Sequence, residues 1–156
     1  MESLYLIPGW IGLFAPIALS ALGSAIGCAI AGQAALGAML ELDSGHGKFI
    51  GLSALPSSMN IYGIVIMFTL NGRMFGAEHA INPASVSGVF GIGLLTGIAL
   101  LICAIYQGIC CAAAIQVSKN KPEIFGISVT PAAIVEGFAV FTFIFAMMLS
   151  NNIPRG

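Results

Sequence analysis

Four long apolar stretches dominate this chain. Apart from Arg73 at the end of the second, only one acidic or basic side chain, Glu136, lies inside any of them. The stretches run over Pro8–Leu40, Ile50–Phe75, Val86–Val117 and Ile127–Leu149. Each reaches or exceeds the roughly 20 residues that a helix needs to cross a bilayer. The connections are short and polar: 41–48 (ELDSGHGK), 76–85 (GAEHAINPAS) and 118–126 (SKNKPEIFG). Lipid enforces this separation, because an unpaired charge in hydrocarbon is costly and an unpaired backbone group is too. The expected fold is therefore an all-α integral membrane protein, a single membrane domain over 1–156. It divides into a first helical hairpin over 8–75 and a second over 86–149.

The composition narrows the function. Apolar residues make up 58% of the chain and charged residues 7%, with 20 glycines, a mixture suited to closely packed membrane helices. A net charge of -1 with no basic stripe excludes nucleic acid as a partner. No glycine-rich loop followed by lysine is present to cradle a nucleotide. Met1–Trp10 has no lysine or arginine ahead of the apolar stretch, so it reads as mature chain rather than as a secretory leader. Cys28, Cys103, Cys110 and Cys111 form no C-x-x-C pair and read as small apolar packers, so no cofactor is expected. His46 and His79 fall in expected loops. Four spans put both termini on one side. Lys48, Lys119 and Lys121 in the first and third connections, against Arg73 and Arg155 opposite, make those two connections cytoplasmic by the positive-inside rule.

The two halves read as a duplicated hairpin. Setting Pro56 on Pro131 aligns LPSSMNIYGIVIMF (55–68) with TPAAIVEGFAVFTF (130–143) and puts Ile61 in the place of Glu136. Gln33 lies 23 residues before the first proline and Gln116 lies 15 before the second, so the first connection is the longer. Small residues recur four apart in stretches one and three: Gly23, Gly27, Ala31 and Ala35, then Ala104, Gly108 and Ala112. Such stripes line one helix face and allow close crossing. They predict a crowded inner layer holding neighbouring copies together. Stretches two and four, with Phe68, Phe138, Phe141, Phe143 and Phe145, would face lipid.

Depth singles out the functional residues. At 1.5 Å per residue, Glu136 lies roughly 14 Å from the membrane edge at Ile127, and Gln107 roughly 15 Å from the same edge. Ser58, Met59 and Tyr62 lie roughly 12–18 Å from it on the second stretch. Leu55, Ser58, Met59 and Tyr62 also share one helix face by their i, i+3, i+4, i+7 spacing. A carboxylate, a carboxamide, a hydroxyl and a phenol thus meet at one level. A carboxylate at that depth costs about 2.5–3.5 kcal/mol on insertion scales, and a chain bears this when the group has a partner or a task. Desolvation leaves it two neutral states, holding a proton or holding a cation.

These motifs carry a family resemblance over nearly the whole chain: GSAIG at 23–27, LPSSMNIYG at 55–63, YQG at 106–108 and AAIVEGFAV at 132–140. The chain resembles the rotor-ring proteolipid (subunit K, or c) of V/A-type rotary ATPases in its four-helix duplicated form. The resemblance implies a closed ring of identical subunits with stretches one and three inside. It implies a non-catalytic, ion-translocating role, with a stator membrane subunit bearing an arginine, central-stalk subunits and the lipid bilayer as partners. In a prokaryote it implies the plasma membrane. Glu136 would be the carrier of H+ or Na+. In sodium-binding members the ligand pattern falls here on the Leu55 carbonyl, Ser58, Met59, Gln107 and Glu136, with Tyr62 bonded to the carboxylate. The pattern fails at Met59, whose thioether is a poor sodium ligand, so the proton is preferred and sodium stays open. The alternatives are a small proton-coupled multidrug exporter, which calls for aromatic walls around the acid, and a passive membrane anchor, which needs no buried acid.

Overall fold

A computed structural model describes residues 6–75 and 83–154. His79, Arg155 and most of the second connection lie outside the described residues. The chain forms α1 (Leu6–Leu40), α2 (His46–Ala54), a 3-10 turn at Leu55–Ser57, and α3 (Ser58–Phe75). The second half forms α4 (Pro83–Asn120), a 3-10 turn at Pro122–Ile124, α5 (Phe125–Ser128) and α6 (Thr130–Asn151). Among the described residues four spans are long and apolar enough to cross a membrane: Leu6–Leu40, His46–Phe75, Pro83–Asn120 and Pro122–Asn151. Spans one and three have 35 and 38 residues. Those lengths correspond to about 52 and 57 Å of helix, so both outreach a hydrocarbon layer of about 30 Å. His46, expected in a loop, instead opens α2, and its Nε2 lies 2.6 Å from the Leu42 carbonyl oxygen.

The long helices α1 and α4 pack directly on each other, and glycine sets how close they come. Pro16 lies inside α1 and has no N–H, so the Gly12 carbonyl loses its helical donor. Gly93 of α4 sits against that carbonyl, where a Cβ would overlap it. Farther along, a Cβ on Gly23 would lie 2.6 Å from the Leu101 carbonyl oxygen, and one on Gly108 would overlap the Gly27 backbone. The stripes read from the sequence therefore face each other inside one chain, rather than being held for a neighbouring copy. On α4 the seam continues through buried Cys111 and Ile115 instead of Ala112, because 3.6 residues per turn carries a strict four-residue stripe off the contact face.

Spans two and four flank this pair and are each broken once. Phe68, Phe138, Phe141 and Phe145 point outward as expected, but Phe143 turns inward against the core. At the charged end Lys119 pairs with Glu41 at 2.9 Å, and the Lys48 ammonium lies 4.9 and 5.5 Å from the Phe49 and Phe125 ring centroids. The first and third connections therefore share one end. Residues 41–45 separate α1 from α2, whereas Lys121 alone separates α4 from the next turn, so the first connection is the longer.

Side-by-side contacts correct the repeat register. Ser58 meets Glu136, Thr69 meets Met147 and Arg73 meets Asn151, each pair 78 residues apart. Gly27 meets Gly108 and Gly12 meets Gly93, each 81 apart. Equivalent residues of two parallel helices lie at equal depth, so the repeat offset falls near these values and not at the 75 that separates Pro56 from Pro131. Ser57 or Ser58, not Ile61, then lies level with Glu136. The two prolines sit about one turn apart in the repeat because each need only lie near its own helix break.

Candidate ion-binding site

The site forms where both flanking spans are interrupted. Pro56 offers no N–H to the Leu52 carbonyl, which accepts the Leu55 N–H instead and draws the chain into a 3-10 turn. Pro56 is buried, and its carbonyl accepts a 2.8 Å hydrogen bond from Ser24 of α1, which anchors the break to the central pair. Ser58 and Tyr62 follow in the first two turns of α3. Opposite, the break at Val129 precedes α6, and Glu136 lies in the second turn of that helix. Gln107 comes from the middle of α4, beside the Gly27–Gly108 crossing.

Three donors converge on the half-buried carboxylate. Tyr62 donates its hydroxyl to Oε1 at 2.6 Å. Ser58 Oγ lies 2.8 Å and Gln107 Nε2 2.6 Å from Oε2. Ser58 Oγ also lies 3.0 Å from the Leu55 carbonyl oxygen, so one hydroxyl proton faces two acceptors. Gln107 is 1% exposed, and its Nε2 reaches the Ala132 carbonyl at 3.5 Å. Its Oε1 is buried with no hydrogen-bond partner among the described residues.

Glu136, Gln107, Ser58, Tyr62 and the Leu55 carbonyl, all named from the sequence, are thus brought together. Met59 forms part of the apolar packing beside the site. It is fully buried in the apolar cluster with Ile66, Leu100, Ala104 and Ala139. Asn60, which could offer an oxygen in its place, has its Oδ1 3.3 Å from Ser20 Oγ and so is turned toward α1. Sequence reasoning missed two supports of the site. Ser20 and Ser24, four residues apart on α1, fix Asn60 and the Pro56 break, and their spacing was the available signal. Phe143 packs on Tyr62 with ring centroids 5.3 Å apart, seven residues after Glu136 and hence on the same face of α6.

The sequence profile of the ATP synthase C-subunit matches twice, over residues 11–70 and 90–149. The chain belongs to the ATP synthase C-subunit family. The two C-subunit matches begin 79 residues apart, in agreement with the register of the side-by-side contacts. Two relatives match over most of this chain. The A-type ATP synthase subunit K of Methanocaldococcus jannaschii is 35% identical over 129 residues, which is 81% of this chain and 56% of that relative. This chain thus spans just over half the length of that protein. The V-type sodium ATPase subunit K of Enterococcus hirae is 31% identical over 135 residues, 85% of this chain and 83% of the relative.

Proposed function

We propose that this chain is the membrane rotor subunit of a V/A-type rotary ATPase, in which Glu136 carries one proton per four-helix chain. Identical copies close into a ring in the bilayer, turned past a stator membrane subunit bearing an arginine and coupled to central-stalk subunits. ATP is hydrolysed or made by other subunits, and this chain performs no bond chemistry. The end carrying Lys48, Lys119 and Lys121 lies on the cytoplasmic side. The observation that carries the reading is the meeting of Tyr62, Ser58 and Gln107 on a carboxylate at mid-span.

The Ser58 hydroxyl favours the proton. While Glu136 is ionised, Ser58 donates to Oε2. Once a proton sits on Oε2, that O–H donates to Ser58 Oγ, which swings its own hydrogen to the Leu55 carbonyl 3.0 Å away. Both states are hydrogen-bonded and no heavy atom has to move. A sodium ion instead needs a shell of oxygens, and Gln107 presents its N–H to the site while Met59 supplies none. One observation supports the sodium reading, which also fits the name of the Enterococcus hirae relative, a V-type sodium ATPase subunit. Rotating the Gln107 amide would turn its unpartnered Oε1 into the site.

Protection from a carbodiimide, which attacks protonated carboxyl groups, separates the ions. Millimolar sodium at neutral pH is expected to leave the labelling rate of wild-type Glu136 unchanged. Met59→Gln adds a carboxamide oxygen near the site and is expected to introduce protection by sodium, lowering the labelling rate severalfold. Protection of the wild type under those conditions would replace the proton with sodium in this account.

A further inference from the structure

Two offsets relate α1 to α4, and they differ by two residues. The C-subunit matches place equivalent residues 79 apart. The residues that touch across the seam, Gly12 with Gly93 and Gly27 with Gly108, are 81 apart. Two residues along a helix turn the side-chain direction by about 200°, so α1 and α4 meet through opposite faces of equivalent helices. A contact of that kind does not close on itself. It leaves one unused face on α4 and the complementary face on α1.

The 79-residue offset identifies both. The α1 side of the seam, Gly12, Gly23 and Gly27, corresponds to Gly91, Ile102 and Tyr106 on α4. The α4 side, Gly93, Ala104 and Gly108, corresponds to Phe14, Ala25 and Ala29 on α1. All six seam residues are buried, whereas their counterparts are exposed, or half-buried at Gly91. Bulk is also distributed so that the free faces match. Gly12 meets Gly93 inside the chain, and the counterparts of that pair are Gly91 and Phe14. Gly27 lies against Ala104 and Gly108, and the counterparts are Tyr106 against Ala25 and Ala29. Phe14 is 63% and Tyr106 59% exposed, and each ring is thus set opposite small residues. A Cβ on Gly91 would meet nothing within 4 Å, and Gly91 lines an open groove of about 660 Å³ with Gly88, Leu95, Phe141 and Phe145.

We propose that the free face of α4 docks on the free face of α1 in a second copy of this chain. The second copy's Phe14 enters the groove at Gly91, and Tyr106 lies over the second copy's Ala25 and Ala29. This rests on the ring reading and specifies which faces join its members. The contact is heterologous, so it repeats from copy to copy until the rotation closes. A ring set on alanine holds two helices farther apart than glycine set on glycine, so the seam inside each chain is the tighter of the two.

Gly91→Leu tests the groove, in whole complex extracted with mild detergent. Position 91 is open within the chain, so the four-helix fold is unaffected and the new side chain meets the second copy's Phe14. The yield of assembled ring is expected to fall about tenfold, the scale of one overpacked contact. Adding Phe14→Ala to Gly91→Leu makes room again and is expected to restore most of that yield. An unchanged yield in Gly91→Leu, or no recovery in the double variant, would overturn the inference.

Disulfide trapping tests the direction of the contact. Oxidation of membranes carrying Phe14→Cys with Gly91→Cys is expected to give a ladder of multimers beyond the dimer, because each chain offers a different half of the bond to each neighbour. Neither single variant, nor the wild type with its native cysteines, is expected to give that ladder. Dimers from Phe14→Cys alone would mean a two-fold contact and would overturn the inference. A large particle by mass that yields no ladder confines the failure to these faces. A particle no heavier than one chain removes the ring reading as well.

Discussion

Glu136→Gln yields a subunit that inserts and assembles but supports no ATP-driven ion uptake. The amide is nearly the shape of the carboxyl group, and its oxygen can still accept from Tyr62 or Ser58, so the packing between α3 and α6 survives. Insertion becomes easier, since a membrane carboxylate carries a penalty of about 2.5–3.5 kcal/mol that the amide lacks. What disappears is the exchange between a charged and a neutral form, which an amide cannot undergo in this pH range. Uptake into vesicles carrying the variant complex is expected to fall to the level seen without ATP, while the amount of assembled complex stays normal. Retained coupled uptake would remove Glu136 from its role.

Gly108→Leu has an effect of similar size by another route. A Cβ at position 108 would overlap the Gly27 backbone, and the reciprocal change at Gly27 would overlap the Ala104 carbonyl. Core overpacking commonly costs about 1–3 kcal/mol when side chains can give way. Here backbone opposes backbone, so α1 and α4 have to separate along their seam. Gln107 adjoins the crossing and would leave the carboxylate with it. The expected product is an inserted chain that does not reach its compact form, read as loss of the assembled ring from mild-detergent extracts. Gly51→Ala is the control, because a Cβ there meets nothing within 4 Å. Normal rings from Gly108→Leu would show that this contact does not hold the four helices together.

The spans were legible because lipid leaves few choices, and charge segregation alone separated 41–48 and 118–126 from the helices. Depth counting found the neighbours of Glu136 because antiparallel helices of constant rise convert sequence distance into height. Ser58, Tyr62 and Gln107 were all placed on that ground, and all three reach the carboxylate. Other features depend on rotation and partner choice, which height does not encode. The glycine stripes announce close approach without naming the partner, and here the partner is the other helix of the same chain. Phe143 differs from Phe141 and Phe145 only in its angle around α6, and that angle decides between lipid and Tyr62. The repeat register failed because a proline marks a local break in hydrogen bonding, and a break can shift by a turn without disturbing the contacts on either side. The outcome at Asn60 was set by Ser20, 40 residues away on another helix.

Mapping the carbodiimide adduct by mass spectrometry, on membranes labelled at neutral pH, addresses the ion carrier most directly. The reagent attacks protonated carboxyl groups and partitions into lipid, so it selects an acid held neutral within the membrane. Glu41, Asp43 and Glu123 lie in or beside the polar connections, away from the apolar spans in which the reagent collects. One adduct per chain is expected, on the peptide containing Glu136, and it is expected to vanish in Glu136→Gln. An unmodified Glu136, or labelling of Glu41, Asp43 or Glu123 at a comparable rate, would contradict the account.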